Sequence, residues 1–180
     1  MLEKILIHNK RFVEERKAKG EDKPISSHAQ QEVMVFTCMD TRLVGLLEEA
    51  MGFKRGDIKI LKNAGNVIRE GCEDIIRCIS IGTILMGIKE VYIVGHKDCG
   101  MKKQTAEFFK NKMIGKGIDE ELVKDLDVEN WAGFIKDEKE NVIEGVKKIK
   151  SSPYIPKDVK IIGLLMDPNS GEIEIISKDC

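Results

Sequence analysis

Cys38, Asp40 and Arg42 fall within five consecutive residues, and His96 and Cys99 stand three apart further along the chain. Each group follows directly on an apolar run, Val33-Met-Val-Phe-Thr37 before the first and Glu90-Val-Tyr-Ile-Val-Gly95 before the second. Two cysteines and a histidine make a soft ligand set that suits a four-coordinate zinc ion, with the fourth position left for water or substrate. A closed structural site would want a fourth Cys or His. The other cysteines, Cys72, Cys78 and Cys180, and the other histidines, His8 and His28, stand at neither C-x2-C nor H-x3-H spacing. Those three cysteines read as structural or incidental.

Taken singly these residues say little. An isolated H-x2-C is common by chance, and Cys38 alone reads as a small core residue. Their placement at strand ends gives them weight. Val33–Thr37 reads as a buried strand that delivers Cys38 at its carboxyl end, and Asp57–Lys62 as a second strand leading into the glycine-containing loop Asn63-Ala-Gly-Asn66. Glu90–Gly95 is a third strand and Val159–Met166 a fourth, and a turn at Asp167-Pro-Asn-Ser-Gly171 opens an alternating edge strand, Glu172–Ile176. Helical spacing covers Leu2–Lys19, Leu43–Met51, Cys72–Gly87, Met101–Lys112, Ile118–Leu126 and Val128–Lys150. Met34, Met86 and Met166 lie in apolar runs and are assigned to the core.

Strands alternating with helices imply an α/β fold: a mostly parallel sheet flanked by helices, with an antiparallel edge strand and an N-terminal helical arm. Ligands in such sheets bind beyond the carboxyl ends of the strands, where the winding reverses. If the first and third strands are neighbours, Cys38 meets His96 and Cys99 at that point.

The chain has 180 residues, enough for one domain that buries about 70% of its unfolded surface. Thirty basic and 31 acidic residues are interleaved, for a net charge of -1, which argues against a nucleic-acid partner. Five cysteines without a signal-peptide pattern speak for a reducing compartment rather than a disulfide framework. No apolar run approaches the ~20 residues that span a membrane, so a cytoplasmic location is expected.

With both motifs in this order, the sequence resembles the β-class carbonic anhydrases, in particular their short prokaryotic branch. The likeness rests on Cys38-x-Asp40-x-Arg42 followed by His96-x-x-Cys99, with further matches at Asn63-Ala64-Gly65-Asn66 and Gly95–Met101. It spans roughly Glu32 to Met101. Ser80-Ile-Gly-Thr83 and Lys62 depart from the family's commoner residues, at positions that bear on pocket lining and subunit contacts. The resemblance implies one Zn2+ per chain on Cys38, His96 and Cys99, and reversible hydration of carbon dioxide to bicarbonate and a proton. It implies a single domain over residues 1–180, with a helical arm at 1–20 and an α/β zinc core at 32–180. It also implies a homodimer or higher even oligomer, the arm laid on the neighbouring subunit.

Roles follow from the chemistry of the residues. Two thiolates cancel the charge of Zn2+, so its water is less acidified than in all-histidine sites, where the bound-water pKa is about 7. Asp40 is placed to accept a hydrogen bond from the resulting hydroxide and aim its lone pair at the substrate carbon. Arg42 is suited to clamp the Asp40 carboxylate through its planar fork. Released from Arg42, Asp40 is the candidate fourth zinc ligand of a closed state. Asp98 reads as a turn residue or a hydrogen-bonding support between the ligands. Gly100 reads as the start of a helix whose N-terminus favours thiolate at Cys99.

Three alternatives stand beside this reading. A carbon disulfide or carbonyl sulfide hydrolase would use the same scaffold on a similarly linear substrate. A cysteine phosphatase or sulfur transferase would use Cys38 as nucleophile, but its C-x5-R cradle needs five intervening residues where this chain has three, one of them acidic. A non-catalytic zinc-stabilised binding module would have no use for Asp40 and Arg42.

Overall fold

β1 (Val33–Cys38) is buried along its whole length, which explains why it reads as a continuous apolar run and not as an alternating one. The computed structural model describes residues 1–71 and 73–178, so that Cys72 and Cys180 lie outside the described residues. β1 pairs in parallel with β2 (Ile58–Asn63) on one side and with β3 (Glu90–His96) on the other. β4 (Lys160–Met166) adds in parallel to β3, and β5 (Ile173–Ser177) closes the edge antiparallel to β4. The order β2-β1-β3-β4-β5 means that the chain winds outward from β1 to β2 and then returns across β1 to begin β3. The winding reversal therefore lies between β1 and β3, as expected from the sequence. Thr37 pairs with Val94 and Cys38 with Asn63, so both ligand-bearing loops leave the same end of the sheet.

Side chains alternate between two cores. Met34, Phe36, Val91 and Ile93 face one layer with Ile76 and Ile79 of α3 (Asp74–Leu85) and Val142, Val146 and Ile149 of α7 (Glu138–Ser151). Val33, Val35, Val94, Leu164 and Met166 face the other with Leu43 and Leu47. A Cβ at Gly95 would lie 2.7 Å from Val142 Cγ2, so this glycine lets α7 seat directly over the strand end that carries His96.

The helices are shorter than their apolar spacing suggests, because local stop signals interrupt it. The expected Leu43–Met51 helix is a 3-10 turn at Thr41–Leu43 and then α2 (Leu46–Ala50), separated by Gly45 at φ 81°. In place of Met101–Lys112 there is a 3-10 turn, Gly100–Lys102, followed by α4 (Ala106–Gly115), whose N-cap Thr105 accepts from the Phe108 N–H. The expected Ile118–Leu126 helix narrows to α5 (Glu120–Lys124). Val128–Lys150 divides into α6 (Val128–Ala132) and α7, broken by left-handed Gly133 and restarted by the Asp137 cap. Met34 and Met166 are core residues as expected, but Met86 is 37% exposed at the end of α3.

α1 (Leu2–Ala18) has no buried residue, and Leu2, Ile5, Leu6, Phe12 and Val13 are exposed along it. Among the described residues no helix is long and apolar enough to cross a membrane.

Candidate active site

Cys38 ends β1, His96 ends β3, and Cys99 follows on the loop after β3; all three are buried. Their ligating atoms lie within 4.8 Å of one another, so residues far apart in sequence form one cluster. The His96 ring is fixed by a 2.9 Å hydrogen bond in which Nδ1–H donates to the Lys97 carbonyl. A carbonyl can only accept, so Nδ1 carries a proton, and in the neutral imidazole the lone pair lies on Nε2. That Nε2 is buried and has no hydrogen-bond partner. A buried polar atom without a partner is costly, and a cation bound by the two sulfurs and this nitrogen would satisfy it. The donor set and the unpartnered nitrogen together fit zinc.

Electrostatics within the cluster agree. A hydrogen bond from the Cys99 thiol is the largest influence on Cys38; it outweighs burial and, with His96 and the Gly65 N–H at 3.3 Å, brings the Cys38 thiol down to about 4. The same bond and burial push the Cys99 thiol up, so the two sulfurs share one proton. Burial opposes charge on His96, yet the neighbouring Cys38 thiolate raises its pKa. The turn after Cys99 is a single 3-10 turn, not the helix start expected at Gly100, so no helix dipole acts there; the Met101 N–H alone favours the Cys99 thiolate.

Asp40 stands at the edge of this cluster, with Oδ2 at 3.8 Å from His96 Nε2. Arg42 holds its carboxylate in a fork, Nε to Oδ1 at 3.0 Å and Nη2 to Oδ2 at 2.9 Å, and the Arg42 N–H adds a third bond to Oδ1 at 2.9 Å. These bonds bring the Asp40 carboxyl down to about 2, so that it is ionised at any working pH. The sequence expectation of a clamped carboxylate thus has its geometry. His8 and His28 are exposed residues of α1 and of the connector before β1, outside the cluster. Cys78 is a free, half-buried cysteine on α3 and also stands apart from it.

Of two supports of the cluster, the Asn63–Asn66 loop stands out in the sequence and the residue of α7 that holds it does not. Gly65, at φ 72°, turns its N–H toward Cys38, and Asn141 of α7 donates from Nδ2 to the Gly65 carbonyl at 3.0 Å. Seventy-six positions separate Asn141 from Gly65, and nothing in the local pattern of α7 marks this asparagine except its polarity on a buried face. Asp98, read as a turn residue or support, adopts φ 59° and reaches away from the ligands to Arg42 and Lys103.

Comparison with known proteins agrees with this geometry. The carbonic anhydrase family model matches residues 33–173. The crystal structure of β-carbonic anhydrase isoform I from Trichomonas vaginalis superposes with a TM-score of 0.91 at 32% identity, covering 99% of this chain and 98% of that one. β-Carbonic anhydrase 1 of Mycobacterium tuberculosis strain H37Rv is 26% identical over 89% of this chain and 91% of its own length. A carbon disulfide hydrolase of Acidianus sp. strain A1-3 is 33% identical over 74% of this chain and 71% of its own length. The parallel sheet that brings Cys38, His96 and Cys99 to one strand-end cluster is thus shared with enzymes of one family, and this chain belongs to the β-carbonic anhydrases.

Proposed function

We propose that this protein catalyses the reversible hydration of carbon dioxide to bicarbonate and a proton, with one Zn2+ held by Cys38, His96 and Cys99. The observation that carries the reading is the forked Arg42–Asp40 pair set 3.8 Å from the unpartnered His96 Nε2. A structural zinc site needs no ionised carboxylate fixed at its rim. Bound zinc would supply Lewis acidity, making hydroxide far more available than in bulk water though less so than at all-histidine sites. Asp40, held as an anion, accepts a hydrogen bond from the attacking hydroxide and turns a lone pair toward the carbon of CO2. Arg42 keeps that carboxylate oriented and, while it does so, away from the metal. Oxygen–carbon bond formation then gives bicarbonate, which keeps the proton of the hydroxide; the proton released in the reaction is the one that water loses to form the hydroxide, and it leaves to buffer.

Asp40 is also the candidate fourth ligand of a closed state when Arg42 lets go. Activity is then expected to rise from neutral to alkaline pH as hydroxide competes with the carboxylate. A flat profile would count against the switch.

A second reading is supported by the carbon disulfide hydrolase among the relatives: the linear CS2 or COS in place of CO2. Stopped-flow CO2 hydration, run beside sulfide release from CS2 on the same zinc-loaded protein, separates the two. Fast hydration with no sulfide supports the first reading, and sulfide release without hydration supports the second.

The exposed apolar residues of α1 favour a homodimer in which residues 1–20 lie on a second copy. The cytoplasm fits the cysteine content. Sedimentation of the full chain beside a chain lacking residues 1–20 tests the dimer: loss of association in the shorter chain is expected, and the same number of protomers per particle in both would contradict it.

A further inference from the structure

The guanidinium of Arg42 is shared between two residues on different loops. Its Nε and Nη2 take the Asp40 carboxylate, on the loop after β1. Its Nη1 donates to Asp98 Oδ2 at 3.1 Å, and Nη2 donates again to the Asp98 backbone carbonyl at 3.0 Å, on the loop between His96 and Cys99. Four hydrogen bonds from one rigid planar group therefore tie the two ligand-bearing loops together. Asp98 is itself fixed. Lys103 takes its other oxygen, and the left-handed backbone at φ 59° turns both its carboxylate and its carbonyl to the same side. Asparagine, aspartate and glycine tolerate that conformation better than other residues.

Burial shows what such a contact can do. The side chains of Asp98 and Arg42 are 53% and 34% exposed, and ion pairs at that exposure contribute little to folding stability. Direction is another matter: Arg42 has a long flexible stem, and with Asp40 as its sole partner the fork could pivot about one carboxylate. A second anchor from the opposite loop fixes the guanidinium plane, and with it the plane of the Asp40 carboxylate.

We infer that Asp98 is a positioning residue, which acts through Arg42 to hold Asp40 in its working orientation and away from the metal. The inference rests on the roles proposed above for Asp40 and Arg42. It assigns Asp98 no contact with substrate or metal.

The test uses the full-length zinc-loaded protein with Asp98→Gly, which removes the carboxylate without straining the positive φ, and Asp98→Asn, which restores an acceptor oxygen. Asp98→Gly is expected to lower kcat about 10- to 100-fold, as misplacement of a catalytic group does, with KM and melting temperature little changed. Asp98→Asn is expected to recover most of that loss. In an Arg42→Gln background, Asp98→Gly is expected to add no further loss, because the two act as one unit. A readout apart from turnover is the NMR spectrum of protein labelled with 15N-arginine: Arg42 is expected to give resolved Nη signals of an immobilised guanidinium, which merge in Asp98→Gly. Unchanged Arg42 signals and turnover within about twofold of wild type would overturn the inference, as would equal additive losses in the double variant. Should Arg42→Gln alone leave turnover intact, the catalytic reading of Arg42 fails, not merely the role of Asp98.

Discussion

The two ends of the parallel sheet both carry ionisable residues and differ in how fully those residues are bonded. At the amino end, Glu32 pairs with Lys89 at 2.7 Å, and Glu90 accepts from both Tyr92 at 2.8 Å and Lys160 at 2.9 Å. A cavity of about 670 Å³ opens there, lined by these same residues. At the carboxyl end, one imidazole nitrogen is buried without a partner, two sulfurs share a proton, and a carboxylate is held beside them by an arginine. The presence of charge does not distinguish the ends. Unsatisfied bonding does: at the amino end the charges neutralise one another, whereas at the carboxyl end the groups converge on a point where a cation completes them.

Removing a ligand from the carboxyl end should break the contrast most severely. Cys99→Ser is expected to lose tightly bound zinc and to reduce CO2 hydration to the level of buffer, read by metal analysis and stopped flow. Retention of stoichiometric zinc with turnover would show that Cys99 is not a ligand.

A smaller effect concerns acid stability of the metal-free protein. The Asp40 carboxyl falls from an ordinary value near 3.8 to about 2 through its bonds with Arg42. A group whose folded pKa is depressed stabilises the fold above its unfolded pKa, and that contribution fades as pH falls through the folded value. Asp40→Asn is therefore expected to cost about 1–2 kcal/mol at pH 7 and nearly nothing at pH 2, measured by urea unfolding. An equal cost at both pH values would contradict the pairing.

The smallest effect belongs to the amino end. Glu90→Gln is expected to change stability by less than about 1 kcal/mol and to leave turnover as it was, because the pair with Lys160 is solvent-screened and far from the cluster. A drop in turnover would mean that the paired end also takes part in the reaction.

Much of this arrangement was legible in the sequence where local pattern and chain topology coincide. Apolar runs ending in Cys38 and His96 predict strands, and alternation with helices predicts that their ends converge; the β1–β3 pairing bears this out. Helix boundaries were less legible, because apolar spacing continues through Gly133 and past Thr105 while backbone caps end the helices there. Met86 was assigned to the core from an apolar run that in fact ends on the surface. Asn141 could not be placed, since its contact with Gly65 depends on how α7 crosses the sheet. Asp98 reads in the sequence as a turn residue or as a support between the ligands; its contact with Arg42 depends on a left-handed backbone that spacing does not encode.

The central claim is that Asp40 makes a metal-binding cluster catalytic. Stopped-flow CO2 hydration by zinc-loaded wild type and Asp40→Ala, with zinc content measured on both samples, tests it most directly. One zinc per chain in each, and turnover at least about 100-fold lower in Asp40→Ala, is the predicted result. Turnover by Asp40→Ala close to that of wild type would contradict it.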